Sequence, residues 1–302
     1  MFTSTIFIII IICVIVLISD TATFESSFPD DSSQMDVSSF KDPFDLHIAE
    51  ENVLKQYKCN YTGVVYFLHP SGMNATWMRK YLQYHQADLN FRHLKLVFPD
   101  APLIRYTPLD AMKCHAWIDR QDRTNLGTED EDTVENSCRQ LKKMIDKEVR
   151  SGTPMNRIII GGLQTGGEMA LHAAYRCLPD IAGVFALSTF LRQDSRIYQH
   201  LERNKTSRRP PLLKAFWVRD QVIPPLYSQQ TFDKLISLGV PGESLLLQPL
   251  EYIMSSKELT YVWKWICKLL PNADKNVGFE LDFYFDASPG TGEVTSNEDG
   301  SF

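Results

Sequence analysis

The chain has no excess of positive charge. Its 31 Lys and Arg are outnumbered by 37 Asp and Glu, giving a net charge of -6. Nucleic-acid partners are held largely by neutralised phosphates, so none is expected. There is no C-x-x-C pair among the six cysteines, which removes the usual spacing of zinc and thioredoxin-type sites. No metal is expected. No internal repeat of about 20–50 residues is visible, which argues against solenoids and propellers. There is no long histidine supply either: the seven histidines stand at 47, 69, 85, 93, 115, 172 and 200, and none lies beyond.

Also missing is an apolar run of the roughly 20 residues that a spanning helix takes. The stretch "IFIIIIICVIVLI", residues 6–18, has 13, which fits the h-region of a signal peptide, about 7–15 residues long. No Lys or Arg precedes it and no clean A-x-A site follows it, so an uncleaved anchor stays open as the alternative. Residues 1–22 are therefore read as signal peptide or signal anchor, with membrane attachment only if 6–18 is retained. Three sequons point the same way: Asn60-Tyr-Thr, Asn74-Ala-Thr and Asn204-Lys-Thr. A secreted or secretory-pathway protein is expected, glycosylated at one or more of Asn60, Asn74 and Asn204. Without Cys13 five cysteines remain, at 59, 114, 138, 177 and 267. An oxidising lumen would allow one or two disulfides and leave a thiol over; buried core cysteines are the other reading.

What is present is a series of short apolar runs separated by helical stretches. Residues 63–70, 93–102, 157–162, 183–188, 212–218 and 244–248 read as strands. An acidic loop over 124–137 leads into a helix to about Val149, and further helices cover 227–238 and 256–269. Alternating strands and helices predict an α/β fold, with a doubly wound, mainly parallel sheet and helices on both faces. Residues 23–50, rich in Ser, Asp and Pro, read as a flexible leader, 51–272 as the folded domain, and 273–302 as an acidic, disordered tail.

One stretch carries the chemistry. "IIIGGLQTGGEMALHAAYR", residues 158–176, is a buried strand, a glycine turn and a helix. An α/β-hydrolase holds its nucleophile there, in G-x-S-x-G. Here the pattern is Gly162, Leu163, Gln164, Thr165, Gly166, with Gln164 in place of the serine. Gly162 and Gly166 let strand and helix backbones approach closely.

With "FLHPSG", "FPDAPLIRYTP", "AWIDR", "IAGVFALSTFL" and "KWICKLLP" in the same order, residues 63–271 resemble the acyl-protein thioesterase and lysophospholipase family, and most closely its lysophospholipase-like branch. That resemblance implies an α/β-hydrolase and cleavage of acyl esters or thioesters by a Ser, Asp, His triad without a cofactor. Its partners would be an acyl chain, a lipid or an acylated protein.

The implied roles transfer unevenly. The nucleophile position is Gln164, whose carboxamide is a very poor nucleophile. The acid position is Asp220, which is present. The histidine position falls at Ile253, within the span Tyr252 to Met254, and none of these is a base at neutral pH. Because α/β-hydrolases run Ser, Asp, His and no histidine follows Asp220, no shift of alignment restores one. Backbone N–H groups of Thr165 and Ser71 stand at the oxyanion positions. Pro70 replaces a glycine common in the family and stiffens that loop. The Thr165 side chain is expected to point away from the site. His69, His115 and His172 are expected to be structural, His69 as an orienter of backbone. The expectation is an α/β-hydrolase scaffold that has lost its chemistry, with a working ester or thioester hydrolase using displaced residues, or a pure interaction module, as alternatives.

Overall fold

The computed structural model describes residues 61–85, 93–121, 126, 128–220, 222–247 and 256–272. The readings made for 1–60 and 273–302, the leader, the tail, residues 6–18 and Asn60 among them, lie outside the described residues, as does the 252–254 span.

Six strands form one parallel sheet: β1 (Gly63–Leu68), β2 (Leu94–Val97), β5 (Ile158–Leu163), β6 (Gly183–Leu187), β7 (Leu212–Trp217) and β8 (Gly242–Leu247), in the order β2-β1-β5-β6-β7-β8. β1, β5 and β6 are buried along their whole length, which is why they read as unbroken apolar runs rather than as alternation. The register sets Val65 beside Ile159 and Ile160 beside Val184. Helices α1 (Ala75–His85), α2 (Glu131–Arg150), α3 (Thr165–His172), α4 (Arg196–Arg203), α5 (Pro225–Ser237) and α6 (Ser256–Leu269) complete the α/β architecture. Two apolar cores result. Val64, Tyr66, Ile158, Ile160, Leu141 and Leu171 belong to one; Val65, Phe67, Ile159, Phe185, Trp263 and Ile266 to the other. Odd and even residues of one strand thus feed opposite cores, as the pleat requires.

The sheet departs from the sequence reading in three places. The strand expected over 93–102 ends at Val97. A two-stranded antiparallel hairpin, β3 (Leu103–Tyr106) with β4 (Met112–His115), follows in a stretch for which no element was read. Its turn carries Asp110 and Ala111 at positive φ. The acidic segment 124–137 is not loop throughout, because α2 begins at Glu131. Asp130 caps it by accepting from the Thr133 N–H at 2.8 Å, and Glu131 and Asp132 place negative charge at the positive end of the helix.

Strand order reverses between β1 and β5. Crevices at the carboxyl ends of strands at such a reversal are where open α/β sheets bind ligands. The loop after β1 carries Ser71, and the turn after β5 carries Gln164.

Candidate active site

Gln164 sits at φ 51°, ψ -119°, a left-handed conformation that strains an L-residue by roughly 1–3 kcal/mol. Close packing enforces it. A Cβ on Gly162 would lie 2.5 Å from the Gly166 carbonyl carbon, and one on Gly166 would strike the Leu68 carbonyl. The turn is closed by the Gln164 N–H donating to the Leu187 carbonyl (2.9 Å) and by the Glu168 N–H donating to the Gln164 carbonyl (3.0 Å). The half-buried side chain thus projects from a tight turn between strand and helix.

The acid position is held as firmly. Asp220 Oδ1 accepts from the N–H groups of Val222 (2.9 Å) and Ile223 (2.8 Å), and Oδ2 accepts from the Ser188 hydroxyl. Ser188 is itself buried and at φ 44°, with its N–H on the Ala215 carbonyl at 2.8 Å. A partly buried carboxylate needs hydrogen-bond donors, and Ser188, Val222 and Ile223 supply them.

Beneath it lies Lys214, fully buried. Its ammonium donates to the Thr189 carbonyl at 2.5 Å, an oxygen that also accepts from Ser228. Burial pushes the amine down to about 7, with the Asp220 charge acting in the opposite direction.

On the other side of the elbow is the loop after β1. His69 Nε2 accepts from the Ala101 N–H (3.0 Å), so Nδ1 carries the proton and donates to the Pro70 carbonyl (2.7 Å). Burial holds this ring below the usual histidine range. Trp117 donates to the His69 carbonyl (3.0 Å), and Gly72 to the His115 carbonyl (2.9 Å). His69 is thus the backbone orienter expected of it, and His115 is tied to the Ala101 carbonyl at 2.7 Å. The Thr165 side chain does not point away from the site. Its Oγ1 accepts from the Ser71 N–H at 2.8 Å and lies 2.9 Å from Ser71 Oγ. The Tyr106 hydroxyl also hydrogen-bonds Ser71.

These bonds bring the expected positions together. Ser71 is bonded to Thr165, Thr165 follows Gln164, Gln164 is bonded to Leu187, and Ser188 follows Leu187 and holds Asp220. The sequence reading had no place for Ser188, Lys214 or Tyr106.

Deeper along α3 the polar groups are structural. Arg120 donates to the Glu168 carboxylate at 3.1 Å through Nε, adds a second contact through Nη2, and lies over the Phe190 ring. His172 Nε2 lies 3.3 Å from Glu129 Oε1, while Nδ1 faces an Arg176 nitrogen at 3.2 Å. Burial acts to raise the Glu129 carboxyl, but the His172 ring beside it and the Arg196 N–H, which donates to Oε2 at 3.0 Å, outweigh it and hold the group at about 2. Ligand atoms of Glu129, Glu168 and His172 lie within 4.8 Å of one another, which is metal-like spacing. The donors do not fit a cation, however. A guanidinium has only N–H donors, so Nδ1 of His172 must accept and Nε2 keeps the proton that a metal would displace.

With the elbow, the acid and the loop after β1 in place, comparison with known proteins becomes informative. The phospholipase/carboxylesterase family profile matches residues 50–269. The chain belongs to the phospholipase/carboxylesterase family. It is 36% identical over 206 residues to lysophospholipase-like protein 1 of Mus musculus, covering 68% of this chain and 86% of that one. It is 32% identical over 185 residues to acyl-protein thioesterase 1 of Schizosaccharomyces pombe, covering 59% and 77%. Among solved structures it is similar to SOBER1 of Arabidopsis thaliana, with a TM-score of 0.61, 21% identity, and 69% and 99% of the two chains covered. Acyl-protein thioesterase 2 of Zea mays gives 0.55 at 21% identity, covering 70% and 96%. The structural likenesses carry the α/β-hydrolase fold, and the sequence matches carry the family.

Among the described residues Cys138 and Cys177 form a disulfide that joins α2 to the segment following α3, while Cys114 and Cys267 are free. Asn74 and Asn204 are both exposed. No described helix is long and apolar enough to cross a membrane.

Proposed function

We propose that this family member is catalytically silent and uses the inherited acyl site to bind an acyl chain, a lipid or an acylated protein. One observation carries the reading. The strained elbow is intact but presents a carboxamide, and no histidine follows Asp220 anywhere in the sequence. In a hydrolase of this kind, removing the nucleophile or the base costs about 10⁶-fold in kcat, and removing both costs little more. Asp220 supports the reading from the other side, because both its oxygens are occupied by Ser188, Val222 and Ile223. The chemistry of the names printed for the relatives, lysophospholipase-like and acyl-protein thioesterase, indicates the ligand class.

The purified protein should hydrolyse acyl esters and acyl thioesters no faster than a heat-treated control. Gln164→Ser should stay silent, because a serine without a base is scarcely more nucleophilic than water. Turnover in the wild-type protein, or its appearance in Gln164→Ser, would show that displaced residues supply a working mechanism. The proposed compartment is the secretory lumen or the extracellular space. The Cys138–Cys177 disulfide, a bond that reducing compartments do not keep, and the exposed sequons at Asn74 and Asn204 support it. Retention of residues 6–18 as an anchor would make the same protein membrane-attached.

A further inference from the structure

Of the two backbone donors that stabilise a tetrahedral oxyanion in this fold, one belongs to the residue after the nucleophile and the other to the loop after the first strand of the fold. Here the second is the Ser71 N–H, and it is already spent. Thr165 Oγ1 accepts it at 2.8 Å, a full-strength hydrogen bond. The arrangement is reinforced. Ser71 Oγ and Thr165 Oγ1 share a second hydrogen bond at 2.9 Å, and the Tyr106 hydroxyl is bonded to Ser71. Thr165 is almost fully buried, at 7% exposure. The loop cannot easily withdraw, because His69, Trp117 and His115 hold its backbone on three sides.

We propose that Thr165 is a built-in occupant of the oxyanion hole, its hydroxyl oxygen taking the seat on the Ser71 N–H that a ligand oxyanion would need. The inference rests on the silent-site reading and deepens it. The loss extends beyond the triad to the backbone, and Thr165 is the residue that sets it. A ligand carbonyl or carboxylate entering this site would have to displace an internal hydroxyl in order to reach the Ser71 N–H.

The test separates the oxyanion hole from the triad by using a nucleophile that needs no base. In Gln164→Cys the thiolate can be acylated by 4-nitrophenyl acetate. Sulfur adds to the carbonyl carbon, the carbonyl electron pair moves onto oxygen, and collapse of that oxyanion expels 4-nitrophenolate. Alkylation of the same sulfur by iodoacetamide displaces iodide and develops no oxyanion. Both products are read by mass on tryptic peptide 158–176, which contains no cysteine of its own.

One oxyanion donor is worth about 10²–10³ in rate. Adding Thr165→Val to Gln164→Cys should therefore raise acylation relative to alkylation by at least about tenfold. Adding Thr165→Ser, which keeps a hydroxyl, should leave the ratio where it was. An unchanged ratio in a folded Thr165→Val protein overturns the proposal. Independently of any chemistry, the Ser71 amide should exchange slowly with solvent in the otherwise wild-type protein and in Thr165→Ser, and faster in Thr165→Val. Equal exchange in all three also overturns it. Wild-type protein run in parallel distinguishes the two failures, because ester turnover with Gln164 in place sinks the silent-site reading whatever the ratio shows.

Discussion

Replacing Lys214 with methionine should stabilise the protein, and should do so more at low pH than at high pH. The ammonium is fully buried and, among the described residues, has one hydrogen bond, to the Thr189 carbonyl. The unfolded chain protonates this amine near 10.5, while in the fold burial pushes it down to about 7. Below pH 7 both states carry the proton, and the folded state bears the whole cost of a buried charge. At 1.36 kcal/mol per pH unit, the difference is worth roughly 5 kcal/mol. Between about 7 and 10.5 the unfolded state binds more protons than the folded one, so stability rises with pH and the cost fades. Methionine fills a similar volume without the charge, and gives up one hydrogen bond worth about 1–2 kcal/mol. The variant should therefore gain about 3 kcal/mol at pH 6 and lose most of that gain by pH 9.5. Urea unfolding of both proteins at pH 6, 7.5 and 9.5 measures it, and the difference between them cancels every other titrating group. A gap between the two that does not change with pH refutes the reasoning. So does a variant less stable at pH 6, which would mean that pairing with Asp220 outweighs burial.

Three further outcomes are expected. Changing Cys138 and Cys177 together to serine opens a loop of 39 residues, which chain entropy values at about 4 kcal/mol; the thermal midpoint of the wild-type protein under reducing conditions should fall towards that of the double variant. Arg120→Ala leaves the Glu168 carboxylate buried without its guanidinium, a loss of roughly 3–5 kcal/mol, while Glu168→Gln in the same background should recover part of it in denaturant unfolding. Protein made in eukaryotic cells should gain gel mobility on treatment with an N-glycosidase, and Asn74→Gln with Asn204→Gln should shrink that shift; a wild-type chain without glycans would remove the luminal placement.

The features legible in the sequence were those written in contiguous residues. β5, the glycine turn and α3 form one unbroken stretch, and their pattern carries the fold, the tight turn and the glutamine at its tip together. Asp220 was placed by the resemblance, just past the apolar run that reads as a strand. The hairpin β3–β4 was not, because its strands are four residues long and partly exposed, too short to show a period. The partner of Asp220 was hidden for another reason: Ser188 lies 32 residues away and meets it only because β6 and β7 are neighbours in the sheet. Five cysteines outside residues 1–22 left the pairing of Cys138 with Cys177 open. Lys214 did leave a trace, one charge inside "LLKAFWV", but an apolar run absorbs a single lysine without losing its strand character. Thr165 was misjudged because a side chain's direction at a strained turn follows from φ and ψ, which no pattern of residue types reveals.

The contacts that fix the elbow belong to Gly162, Gly166 and the Leu68 and His69 carbonyls, and none involves the side chain at 164. The scaffold is thus indifferent to what it displays. Exchanging the residue at 164 for another L-residue leaves those contacts in place. Positions 162 and 166 have no such freedom, since any larger residue collides with backbone. Whatever side chain stands at 164, the socket that presents it lasts for as long as the chain folds.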